Sequence, residues 1–392
     1  MRTRAWLRAC ALALTVGLMA PVGTARAQAT YEVLVGQFLE GPFPAESMRF
    51  FPDTIRVHPG DTLHFTTTGF HTATLLPVGT GPVEWFDTQA TLGTAQPYAF
   101  AQPDPDDGPT SYKLGNAAIS PTDPTCGGAG QPACSFGGTS VLNSGAPFFG
   151  PMDFTVSVDV AAGSSFYVVC IIHGASMRMR VEVVASGQAA SDPADIEDAN
   201  EQALAQDLDT AAALHERFSG RRTSHVAPDG TRVWDAWAGV DSRYVALFGF
   251  YPSRLRIRPG DSVQWHFDSL TYEDHTVTLP LGTGREIVRN APLVCDPDGD
   301  AGPGPDNPPD QEEPPFCSDP TQLEFEIDDR FVHPSGNGVF RGNDLENSGV
   351  LGANSFLGDS NYRLRFTRPS PDGGFKYLCL IHPFMRGRVI VR

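Results

Sequence analysis

The chain has 392 residues, a net charge of −18, and 41% hydrophobic and 19% charged residues. Such acidity argues against nucleic acid, which is held by basic surface, and the length suits two domains, each able to build its own core. The 40 glycines and 34 prolines favour short strands and turns over helices.

Residues 1–27 read as a secretory signal peptide. Arg2, Arg4 and Arg8 flank the apolar run ACALALTVGLMA, which is too short for a membrane span, and Ala25-Arg26-Ala27 has the small residues of a cleavage site. Cleavage near Ala27 predicts an exported protein, periplasmic or extracellular, with no transmembrane anchor; loss of four arginines takes its charge from −18 to −22. A first domain is expected over 28–186. Its segments YEVLVGQ, DTIRV, DTLHF, FTVSVDV, FYVVC and MRVEVV have the β-branched and aromatic character of strands. A linker over 187–222 reads as one helix. Asp192 can cap it, Pro193 opens it, Ile196, Leu204, Leu208, Ala211, His215 and Phe218 share a face, and Gly220 stops it. A second domain over 223–392 follows, with strands RYVALFGF, RLRIR, DSVQWHF, YRLRFTR, FKYLC and RVIVR. Pro-Gly-Asp turns recur at 59–61 and 259–261. This spacing predicts an all-β chain of two antiparallel, Greek-key β-sandwich domains.

A repeated set of ligating residues runs through the two halves. Cys170, His173 and Met177 in FYVVCIIHGASMRMRVEVV reappear as Cys379, His382 and Met385 in FKYLCLIHPFMRGRVIVR. Upstream, His71 in HTATLLP matches His275 in HTVTLP, and FPDTIRVHPGDTLHF matches YPSRLRIRPGDSVQW. Thiolate, imidazole and thioether form a soft donor set that suits copper. Met179 lies close to Met177, but the pairing of Met177-Arg178 with Met385-Arg386 favours Met177. His58, His64, His215, His225, His266 and His333 do not recur and are expected to be structural.

On these motifs each half resembles a cupredoxin, the plastocyanin and amicyanin kind of blue-copper domain. The resemblance covers the N-terminal strands and the C-terminal metal loop of each half, not the long insertion between them. It implies two type 1 copper ions per chain, one held by His71, Cys170, His173 and Met177, the other by His275, Cys379, His382 and Met385. The family often has Asn after its first His; Thr72 and Thr276 stand there instead. The two loops differ by one residue, so the two sites are not expected to be identical.

Six cysteines remain after Cys10 of the leader. In an oxidising compartment Cys126–Cys134 and Cys295–Cys317, both within the insertions, are expected to pair, leaving Cys170 and Cys379 for metal. Asp296, Asp298 and Asp300 lack the Gly and terminal Glu of a calcium loop and read as solvated acid. The function expected is one-electron transfer between redox partners such as a cytochrome or an oxidase. Enzymatic activity is not expected, because no His-x-His pair and no His beside either Cys offers a further copper. The alternatives are copper delivery and a copper oxidoreductase related to two-domain nitrite reductases.

Overall fold

The computed structural model describes residues 27–105, 110–148, 151–267, 270–271, 273–289, 326–352 and 360–392. The leader through residue 26, Cys295, Cys317 and the Asp296, Asp298, Asp300 run lie outside the described residues. Each half is framed by the same eight strands. In the first these are β1 (Thr30–Phe38), β2 (Ala45–Phe51), β3 (Thr54–Val57), β4 (Thr62–Thr66), β5 (Thr74–Leu75), β6 (Asp153–Val158), β7 (Ser165–Val169) and β8 (Arg178–Val183). In the second they are β9 (Arg232–Asp241), β10 (Val245–Tyr251), β11 (Arg254–Ile257), β12 (Ser262–His266), β13 (Thr278–Leu279), β14 (Asn361–Phe366), β15 (Phe375–Leu378) and β16 (Arg386–Val391).

One sheet runs β2-β1-β4-β6 and the opposing sheet β3-β8-β7-β5; the second half repeats both orders as β10-β9-β12-β14 and β11-β16-β15-β13. Alternation makes the sandwich. Tyr31, Val33 and Val35 of β1 and Phe154, Val156 and Val158 of β6 point inward and are buried, while Thr30, Glu32 and Asp153 beside them are exposed. Trp265 centres the second core and its indole N–H donates to Tyr377 Oη at 3.2 Å. The repeated Pro-Gly-Asp closes the turn into β4 and β12: Gly60 (φ 88°) and Gly260 (φ 95°) take the left-handed conformation. Asp61 and Asp261 accept from the amides of His58 (2.8 Å) and Arg258 (3.0 Å).

Two details differ from the sequence reading. The sheets are mixed, since β1 runs parallel to β4 and β3 parallel to β8, with the same pairs in the second half. The chain crosses to the opposing sheet as β3 before returning beside β1, so the two strands enter from the same end. The reading also passed over β2 and β9. All of β2 except Arg49 is buried, so it shows no alternation to read.

The helix Pro193–Ser219 starts where Asp192 accepts from Ala194 N at 2.9 Å. Leu204, Leu208, Ala211, Leu214 and Phe218 pack on Leu39, Phe43 and Ala45 from the first half and Val240, Val245, Leu247 and Tyr251 from the second. Beneath it β2 pairs antiparallel with β10, Ser47 opposite Val245 and Ala45 opposite Leu247, so one sheet runs through both halves. Cys126 and Cys134 form a disulfide with Cα atoms 5.0 Å apart, and Cys170 and Cys379 are free and buried. Among the described residues no helix is long and apolar enough to cross a membrane.

Candidate metal centre

Each half brings one triad of donors together. His71, Cys170 and His173 offer ligand atoms within 4.8 Å of one another, as do His275, Cys379 and His382. In the first site His71 Nδ1 lies 2.9 Å from His173 Nδ1, and Cys170 Sγ lies 3.8 and 3.5 Å from these two nitrogens. In the second, the two Nδ1 atoms of His275 and His382 are 3.2 Å apart, with Cys379 Sγ 3.8 Å from His382 Nδ1. The donors come from fixed places: the first His precedes β5 or β13, and the Cys immediately follows β7 or β15. Met177 and Met385 are buried at the far end of each loop, where their carbonyls accept from the amides of Cys170 and Cys379 at 3.1 Å. The other six histidines stand elsewhere. His64 lies between Glu32 and Asp153, His266 between Asp235 and Asn361, and His215 stacks on Phe43.

Thr72 and Thr276, in the place of the family's Asn, tie the ligand segments together. The amide of each donates to the thiolate sulfur, at 3.4 Å to Cys170 and 3.3 Å to Cys379. Each hydroxyl in turn accepts from the amide after the Cys, Ile171 at 2.9 Å and Leu380 at 2.7 Å. Burial alone would raise both thiols. The charge and hydrogen bonds of His173 and His71 outweigh it and hold Cys170 well below the usual range; hydrogen bonds from His275 and His382 bring Cys379 down to about 5. Two imidazoles and a thiolate, converging in a buried sandwich end, fit a soft, trigonal copper site.

Several supporting residues escaped the sequence reading. Gly36 of β1 and Gly239 of β9 sit at β-bulges with φ of 57° and 75°. A Cβ at either would collide with the imidazole of His71 or His275. A glycine inside each of two matched strands was the available signal. The recurring Asn-Ser of the insertions also has a task. Asn143 and Asn347 accept from Thr74 and Thr278 (2.8 and 2.7 Å), and Ser144 and Ser348 accept from the amides of Ala73 and Val277 (2.9 and 2.8 Å). The insertions thus brace the strand that follows the first His.

The two sites are not copies. His71 Nε2 meets the buried carboxylate of Glu46 at 2.6 Å, whereas Ala246 holds the matching place on β10. The second site is covered by aromatic rings: Phe248 lies 4.8 Å and Phe384 5.9 Å from the His382 ring, with Phe384 about half exposed. Glu273 accepts from His173 and His382 of both sites.

This fold is cupredoxin-like, built twice around a buried His–Cys–His cluster. No family model matches the chain, and neither does any curated protein. Among solved structures the chain is similar to a reduced rusticyanin, at 18% identity over 40% of this chain and 81% of that one, with a TM-score of 0.18. It is also similar to a copper-containing nitrite reductase from Thermus scotoductus SA-01 (16% identity, 93% of this chain, 68% of that one, TM-score 0.19). A multicopper oxidase aligns at 12% identity over 64% of this chain and 65% of its own length, with a TM-score of 0.16.

The expectation of a protein without enzymatic activity is corrected here. The nitrite reductase and the multicopper oxidase are enzymes by name, so a cupredoxin-like fold does not separate carrier from catalyst. That expectation weighed ligands only along the sequence. Groups can also assemble across the seam between halves, as Glu273 beside His173 does.

Proposed function

We propose that the protein is a copper redox protein with one type 1 copper in each half. The pair of buried His–Cys–His clusters carries this reading. His71, Cys170 and His173 would hold the first ion with Met177 as a fourth, weaker donor, and His275, Cys379, His382 and Met385 would hold the second. Copper bound there supplies a one-electron couple. The chain's part is to keep the donors still: amides of Thr72 and Thr276 hold the thiolates, Glu46 and Glu273 hold imidazoles, and the sandwich excludes water. Two domains near 28–186 and 223–392 would then exchange electrons with a redox protein such as a cytochrome or an oxidase. The acidic surface would steer a basic partner, in an exported protein cleaved near Ala27.

A second reading is a copper oxidoreductase, because the nitrite reductase and the multicopper oxidase reported above are enzymes by name. Electron transfer through the two sites is common to both readings. Copper-loaded protein should therefore contain two coppers per chain and absorb strongly in the red. Cys170→Ser and Cys379→Ser should each remove about half of that band. Colourless protein with full copper occupancy would sink the type 1 reading. Nitrite or phenol turnover that disappears in Cys379→Ser would select the oxidoreductase, and cytochrome oxidation slowing with added salt would support the carrier.

A further inference from the structure

Glu273 belongs to the second half, yet it serves both sites. Its Oε2 lies 2.9 Å from His173 Nε2 and its Oε1 3.1 Å from His382 Nε2. Both imidazoles turn Nδ1 toward their own cysteine and Nε2 toward this one carboxylate. The result is a continuous hydrogen-bonded connection from one cluster to the other. Glu273 is 8% exposed. Burial would raise its carboxyl, but the charge of His382 and hydrogen bonds from both rings hold it well below the usual carboxylate range.

The bridge is not inherited from the repeat. Gly69 occupies the position matching Glu273 in the first half, and a side chain there would run into Glu46 and His71. The first half takes its own carboxylate from Glu46 instead, where the second half has Ala246. A single acid thus stands where the two metal loops face each other across the seam.

We propose that Glu273 is a positioning residue that couples the two sites, so that a change at one is felt at the other through the shared carboxylate. This rests on the copper reading above. Partners of a metal-bound imidazole fix its orientation and basicity, and their loss typically costs about 10–100-fold in metal affinity.

The test uses the full-length chain. In Cys379→Ser, which keeps the first site alone, Glu273→Gln should weaken copper(II) binding about tenfold and shift the EPR spectrum, although residue 273 lies in the other half. The same should hold for the second site in Cys170→Ser. His382→Ala should alter copper binding at the first site when Glu273 is present and not in Glu273→Gln, the signature of coupling. Glu273→Asp keeps the charge but is one methylene too short to reach both rings, and should disturb one site more than the other. An effect of Glu273→Gln confined to the second site would overturn the proposal. Nitrogen-15 NMR of the metal-free protein separates this from the copper reading: the Nε2 signals of His173 and His382 should both move in Glu273→Gln. Movement of only one signal would refute the bridge, whereas absence of copper binding with both signals moving would refute the functional reading alone.

Discussion

At the scale of single residues, the sites depend on side chains that are missing as much as on those present. Gly36 and Gly239 leave the space that the His71 and His275 rings fill, and their left-handed φ lets β1 and β9 bulge around them. Alanine there would cost about 1–2 kcal/mol in backbone strain alone and push the imidazole away from its cysteine. Gly36→Ala is expected to lower copper from two ions to about one per chain, with the first site lost; Gly239→Ala should do the same to the second. Metal analysis with EPR on the two variants checks this. Undiminished copper and colour in Gly36→Ala would show that the strand can yield. The threonines carry a related lesson. Where the resembling cupredoxins often have Asn, Thr72 and Thr276 brace the site here, because each hydroxyl reaches the amide beyond the cysteine.

At the scale of elements, the helix Pro193–Ser219 does more than connect. Its apolar face covers the place where β2 meets β10. It also carries a buried acid, Asp207, which accepts from Ser47 Oγ and from Arg49 Nε (3.0 Å) and Nη2 (2.9 Å). Burial raises the Asp207 carboxyl despite these partners. The Arg49 guanidinium lies over Phe51 and Tyr244 and is partly exposed, so solvent lowers the cost of leaving its charge unpaired. Asp207→Ala should lower stability by about 2–3 kcal/mol, through loss of the buried pair and an unpartnered Ser47. Denaturant unfolding measures it directly, with copper spectra expected to stay unchanged below the transition. A loss under about 0.5 kcal/mol would mean that the helix is held by its apolar face alone.

At the scale of the whole molecule, the halves share a sheet, a helix and a carboxylate. A small fourth sheet also joins them, since Glu326–Ile327 pairs antiparallel with Tyr112–Leu114. His333 adds a hydrogen bond to Thr110 O at 2.8 Å. Each connection buries surface that a separated half would expose, so opening one half uncovers apolar residues of the other. The copper-free protein is expected to unfold in a single transition, with equal calorimetric and van't Hoff enthalpies. Two resolved transitions in the calorimeter would show that each half is stable by itself.

The repeat made much of this legible before any coordinates. Cys170 and Cys379 with their trailing His and Met, the earlier His71 and His275, and the matched Pro-Gly-Asp turns are local patterns, and a duplicated chain displays them twice in order. The helix was legible because its cap, its proline and its apolar face obey a 3.6-residue period within one segment. Parallel pairing of β1 with β4 was not, since strand direction is set by where the chain crosses between sheets. Glu46 and Glu273 were silent for a related reason. A lone Glu in a strand or loop carries no spacing signal, and neither acid has a counterpart in the other half, so comparing repeats passes over both. The packing of one half on the other, with β2 beside β10, brings the loop holding Glu273 to His173, 100 residues away in sequence. Local patterns specify the donors of each site; the contact between halves decides that one carboxylate links them.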